Sequence, residues 1–177
     1  MISLLIWNAR GVGTQVKSDF LASAISKHKV AVVAIFEHKQ HTQRIGEFSR
    51  KLRMHGYMHA DPVNRHIWIF WHRNYQVDLI QAGDQLITTK VSCDQYSFFV
   101  SFVYGSCDHV RREVLWNDLN NFDPGPDAWI VGGDFNVVAD PAERQGRGPF
   151  HRKASLDFNT FMAGKGLSDL GYVGDRF

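Results

Sequence analysis

The chain has 177 residues, a formal net charge of +2, 44% hydrophobic and 21% charged residues, the balance of one folded globular domain and not of a disordered segment. So mild a charge does not by itself announce a nucleic-acid binder, and no apolar run approaches the ~20 residues of a membrane span. Cys93 and Cys107 make neither a disulfide framework nor a paired zinc motif, so secreted, membrane-spanning and disulfide-scaffold classes are excluded and a reduced intracellular compartment is expected.

Taken in chain order, residues 2–7, 30–36, 67–71, 98–104 and 128–131 are short, nearly continuous apolar runs rich in β-branched and aromatic residues. Apolar character on both alternating faces predicts core strands covered on each side. Residues 77–80 and 86–92 alternate more clearly and predict half-exposed strands, with Gly83-Asp84 as the turn between them. Helical periodicity falls between the strands. Phe20, Leu21, Ala24 and Ile25 give one apolar face within residues 17–28, and Ile45, Phe48 and Leu52 give a second with Thr42 as its cap. Val110, Val114, Leu115, Leu119 and Phe122 give a third, capped by Asp108 and ended before Asp123-Pro124; Phe158, Phe161 and Met162 give a fourth after Ser155. Strands outnumber helices and the middle ones are hairpin-connected, which predicts a mixed-sheet α/β protein with helices packed outside.

The chemistry sits where the buried strands end. The first run ends at Asn8, the second at Glu37, the fourth at Tyr104-Gly105, and the last runs into Gly132-Gly133-Asp134-Phe135-Asn136. If those ends share one rim, Asn8, Glu37, Tyr104, Asp134 and Asn136 converge in one cleft, and such hard oxygen donors suit Mg²⁺ or Mn²⁺. A lone Glu after a strand is usually just solvated; four polar endings together favour a site. Two other motifs fail: in Gly11-Val-Gly13-Thr-Gln-Val16-Lys17-Ser18, Val16 stands where a phosphate loop needs Gly before Lys, and the dinucleotide pattern lacks its third Gly there. His55 and His59 have Gly56 between them, which argues against a helical metal pair. Most remaining histidines, His38 and His66 among them, are read as surface or loop residues, and Asp108-His109 as a helix cap and not an acid–base pair.

Trp7-Asn8-Ala9-Arg10-Gly11, Phe36-Glu37-His38-Lys39, Val103-Tyr104-Gly105-Ser106 and Gly132-Gly133-Asp134-Phe135-Asn136, in that order, resemble the endonuclease/exonuclease/phosphatase superfamily. Arg65-His66-Ile67-Trp68-Ile69-Phe70-Trp71, Arg111-Arg112 after the Tyr104 turn, and the ending from Leu167 to Phe177 resemble the endonuclease domain of plant LINE-type (non-LTR) retrotransposons. The resemblance runs along residues 1–177 as one domain. It implies a four-layered α/β/β/α sandwich of two mixed sheets with outer helices, lacking the last strands. It also implies Mg²⁺- (or Mn²⁺-) dependent phosphodiester hydrolysis with DNA as partner, a downstream reverse transcriptase in a longer polyprotein, and nuclear action.

By the same resemblance Glu37 is the metal-binding carboxylate, helped by Asn8; Asp134 orients the attacking water; Asn136 and Tyr104 contact the phosphate. Arg10 stands where some members carry an acid, and His38 replaces a common Thr. The family's closing Ser-Asp-His motif is not found before Phe177, so nicking is expected to be impaired. The rival expectations are a phosphatase of the same superfamily and an inactive remnant with weak nucleic-acid binding.

Overall fold

The computed structural model describes residues 2–143 and 150–174. It divides into two compact units, Met1–Ser106 with Asp123–Asn136, and Cys107–Phe122 with Val137–Phe177.

The first unit holds eight strands among the described residues: β1 (Leu4–Asn8), β2 (Val32–Phe36), β3 (Gly56–Ala60), β4 (Asn64–Trp71), β5 (Gln76–Gly83), β6 (Leu86–Cys93), β7 (Tyr96–Tyr104) and β8 (Ala128–Asp134). They form two four-stranded sheets, ordered β1-β2-β4-β3 and β5-β6-β7-β8. Both are mixed, since β1–β2 and β7–β8 pair parallel and the other neighbours antiparallel. Two mixed sheets with helices are the α/β class expected from the sequence.

β2 shows why its sequence reads as an unbroken apolar run. Val32, Ala34 and Phe36 pack into the core between the sheets with Ile67, Ile69, Ile87, Val100 and Phe102. Val33 and Ile35 face the other way, under helix α1 (Gln15–His28) and the short helix α2 (Ile45–Lys51), with Leu21, Phe48, Leu52, Trp68 and Phe70. Both faces are buried, and each large side chain so buried stabilises the fold by roughly 1.5–3 kcal/mol.

Helix α1 starts at Thr14, whose hydroxyl accepts from the Lys17 amide, and stops at Lys29 in the left-handed conformation. Its buried face is Ser18, Leu21 and Ile25. Phe20, expected on that face, is 67% exposed and borders Trp7 at 6.3 Å between ring centroids. Thr42 does not cap α2. It opens a single 3-10 turn, and its hydroxyl donates to Asp61 Oδ2 at 3.1 Å.

β6 corrects the half-exposed expectation. Leu86, Ile87, Thr88 and Thr89 are all buried, because β6 is an inner strand. Its polarity is absorbed internally: Thr88 and Ser101 share a 2.8 Å hydroxyl bond, and Trp129 Nε1 donates to Ser101 at 2.9 Å. The β5–β6 turn lies at Asp84-Gln85, one residue later than expected, since Gly83 pairs with Leu86. β8 is longer than expected and only half-buried, at the edge of its sheet. β3 was missed altogether: Gly-Tyr-Met-His-Ala carries no clear period.

The second unit contains α3 (His109–Asn121) and α4 (Arg152–Gly164), joined by Trp116 against Phe158 and Phe161 at 5.8 and 5.6 Å. Asp108 caps α3 by accepting from the Val110 amide at 2.9 Å. The buried face is Arg112, Leu115, Trp116 and Leu119, whereas the expected Val110 and Val114 are exposed. Ser155 lies inside α4, not before it, and donates to the Ala139 carbonyl. No helix among the described residues is long and apolar enough to cross a membrane.

Candidate active site

Parallel pairing brings strand ends to a common edge. In one sheet Asn8 lies opposite Phe36, next to Glu37; in the other Tyr104 lies opposite Asp134. Two glycines make the second pair possible. A Cβ on Gly133, at φ +152°, would land on the Val103 carbonyl, and one on Gly105 would come 2.7 Å from the Phe135 carbonyl oxygen.

Asn8 links the two sheets. Its Nδ2 donates to Glu37 Oε1 at 3.0 Å and to Asp134 Oδ2 at 2.8 Å. The Tyr104 hydroxyl donates to the same Glu37 oxygen at 3.1 Å. Both carboxylates are acceptors, which fixes the amide with its nitrogen toward them. Asn8 Oδ1 is then buried without a hydrogen-bond partner among the described residues. Asn136 sits beside this network. Its amide N–H donates to Asp134 Oδ1 at 3.0 Å, and its Nδ2 to the Gly105 carbonyl at 2.7 Å. The five residues singled out in the sequence therefore meet at one place.

Glu37 is held on strained backbone. Its φ of +49° is left-handed, a conformation that costs a non-glycine residue roughly 1–3 kcal/mol and gathers at functional sites. Its N–H donates to the His66 carbonyl at 3.1 Å, and its carbonyl accepts from Gly11 at 2.7 Å. Arg10 and Lys39 on either side are left-handed too, at +45° and +53°, exposed, and in no ion pair among the described residues. The Asn8 hydrogen bond, then that of Tyr104 and the charges of Lys39 and Arg10, outweigh burial and hold the Glu37 carboxyl below its ordinary pKa. It is an anion ready for a cation.

Residues 5–169 match the sequence profile of the Endonuclease/Exonuclease/phosphatase family. The chain belongs to that family. The fold is similar to the endonuclease domain of TRAS1, a telomere-specific non-LTR retrotransposon, at TM-score 0.71 and 14% identity, over 97% of this chain and 76% of that one. It is also similar to the AP endonuclease LMAP from Leishmania major (TM-score 0.64, 16% identity, 92% of this chain and 66% of that one). An AP endonuclease from Archaeoglobus fulgidus gives 0.67 and 12%, over 92% of this chain and 70% of that one. No curated protein matches the sequence.

Nucleases of this family generally depend on a divalent metal, and the donors here fit one. Two carboxylates share one bridging amide whose own oxygen is buried and unsatisfied, and a buried acceptor left unpaired costs roughly 1–3 kcal/mol. Among the described residues no group of three or more His, Cys, Asp or Glu could hold a metal ion.

Three supporting residues escaped the sequence reading. His38 is not a surface residue: it is 4% exposed and stacks on Trp68 at 3.9 Å and 14°. Its Nε2 bonds the Arg65 carbonyl at 3.0 Å, and its Nδ1 accepts the Gln40 amide at 3.2 Å, which fixes the neutral tautomer. Asn64, 1% exposed, accepts from the His66 and Ile67 amides and donates to the Gly83 and Asp84 carbonyls. Gln85, also buried, accepts from the Ser106 amide at 2.6 Å just after Tyr104. The expected phosphate-loop failure has a structural counterpart: Lys17 Nζ folds back to donate to the Ala9 and Gly11 carbonyls, each at 2.8 Å.

Proposed function

We propose that this chain is a divalent-metal-dependent phosphodiester hydrolase that nicks DNA, of the non-LTR retrotransposon endonuclease kind. The observation that carries the reading is Asn8, whose amide nitrogen bridges Glu37 and Asp134 while its oxygen is left without a partner. An amide that spends both hydrogens holding two carboxylates together presents its oxygen, with Glu37, to a metal ion.

Glu37 and Asn8 hold Mg²⁺ or Mn²⁺ in this reading, and the bound ion supplies charge neutralisation for the phosphate and its leaving oxygen. Asp134 lies within hydrogen-bond reach of both asparagines and accepts a proton from, or aims, the attacking water. Tyr104 and Asn136 contact the phosphate. The unpaired Arg10 and Lys39 take its neighbours along the strand. The retrotransposon reading makes a reverse transcriptase the working partner and the nucleus the place of action; the segment 65–71 and the likeness to the TRAS1 domain support it.

The test is conversion of supercoiled plasmid to the open circle with Mg²⁺, Mn²⁺ or chelator. Metal-dependent nicking lost in Glu37→Gln and Asp134→Asn is the expected result. Metal-dependent release of phosphate from inositol phosphates without nicking would move the chain to a phosphatase. Neither activity in a folded, metal-loaded protein would make it a remnant.

A further inference from the structure

Beside the carboxylate network stands a ring that nothing in the proposed chemistry uses. His66 is exposed, although the residues that follow it in β4, Ile67 to Phe70, are all buried. Its backbone is pinned from both sides. The amide donates to Asn64 Oδ1 at 3.0 Å, and the carbonyl accepts from Glu37 at 3.1 Å. Asn64 is in turn anchored to the β5–β6 turn by bonds of 2.9 and 3.1 Å. The imidazole itself makes no hydrogen bond or ion pair to a described residue. Its one ring neighbour among the described residues is Tyr104, at 5.2 Å and 44°, the same tyrosine whose hydroxyl lies on Glu37.

A rigidly placed aromatic side chain with an open face, one residue away from the reacting centre, has little to gain from exposure unless something covers it. Cations already serve the phosphates here, since Arg10 and Lys39 flank Glu37. His66 and Tyr104, 5.2 Å apart and tilted 44° to one another, add two aromatic rings to this rim. We propose that the His66 ring, backed by Tyr104, is a stacking platform for a nucleobase next to the scissile phosphate, making His66 a substrate-contacting residue that reads the presence of a base. Base–aromatic stacking tolerates any base because each has a π-face. The platform therefore favours unstacked or single-stranded nucleotides without dictating sequence. This inference rests on the nucleic-acid reading above.

The test uses the whole chain in chelator, so that no strand is cut. Fluorescence anisotropy compares a single-stranded oligonucleotide with one of the same length that is abasic at its central positions. Wild type should prefer the base-bearing strand by about tenfold. His66→Ala should bind both as weakly as wild type binds the abasic strand, and His66→Phe, which keeps a ring but no imidazole nitrogen, should restore the preference. Titration with Mn²⁺ should give the same metal affinity in all three proteins, a readout that displacement of Glu37 would move. An undiminished preference in His66→Ala overturns the inference, as does equal binding of the two strands by wild type; both leave the nuclease reading standing. Binding of neither strand by wild type overturns the nucleic-acid reading and the platform with it.

Discussion

Acidification should destabilise this protein through His38. Burial pushes the His38 imidazole down from 6.5 to about 4, helped by the nearby His66 and His59 and opposed by its bonds to the Arg65 and Gln40 backbone. Protonation would cost it the Gln40 bond as well, because Nδ1 accepts there and a protonated ring can only donate. In the unfolded chain the ring takes up a proton near its ordinary value; in the fold it does not until about 4. The unfolded state thus binds more protons throughout that window, and stability rises with pH across it. The contribution is complete above 6.5 and is lost progressively as pH falls toward about 4. Each tenfold change in proton affinity is worth about 1.4 kcal/mol, so the full loss is roughly 3 kcal/mol.

Urea unfolding of wild type and His38→Gln measures it. Glutamine keeps a donor for the Arg65 carbonyl and an acceptor for the Gln40 amide but has no titrating ring. It forfeits the stack on Trp68, worth about 1 kcal/mol. At neutral pH the variant should be less stable by about that amount. Between about pH 7 and about pH 5 wild type should lose roughly 2 kcal/mol while the variant stays nearly flat, so their curves cross. Above pH 5 the carboxylates of Glu37 and Glu47, both held below their ordinary values, contribute little slope of their own. Parallel curves over that range would refute the assignment of the pH dependence to His38.

Asn8→Asp removes both bridging hydrogen bonds and sets a third carboxylate between Glu37 and Asp134. The metal-free variant should lose about 3 kcal/mol, while Mn²⁺ should raise its melting temperature more than it raises that of wild type; equal metal shifts in differential scanning fluorimetry would count against a metal at this point. Gly133→Ala drives a methyl into the Val103 carbonyl at a backbone angle that side chains avoid. It should destabilise by several kcal/mol, read as a lowered urea midpoint, and a midpoint within error of wild type would show that the β7–β8 contact yields. Ser101→Ala leaves the buried Thr88 hydroxyl and the Trp129 N–H without their shared partner; a loss of roughly 1–3 kcal/mol is expected, checked by the same denaturation.

What the amino-acid order reveals about this molecule follows from how far each residue reaches. β2 is legible because burial on both faces leaves no polar position inside it, and β7 because its buried positions, Ser101 apart, are apolar; both patterns are local. β6 is equally buried yet looks half-exposed, because Thr88 is satisfied by Ser101, a hydroxyl on a different strand. β3 hides because its role is to pair with one side of β4, which asks little of its side chains. The site divides the same way. Asn8, Glu37, Tyr104 and Asp134 each end an apolar run, and parallel pairing of β1 with β2 and β7 with β8 turns a shared position in sequence into a shared edge in space. His38 and Asn64 are invisible by the same logic: nothing beside His38 in the chain announces Trp68, and nothing beside Asn64 announces the turn at Gly83. Such residues do no chemistry themselves, but they fix the backbone on which Glu37 holds its left-handed turn. A carboxylate kept in a costly conformation needs neighbours that pin it from several elements at once. Strand ends can therefore be read one at a time, whereas the contacts that make those ends a site become readable only once the chain has folded.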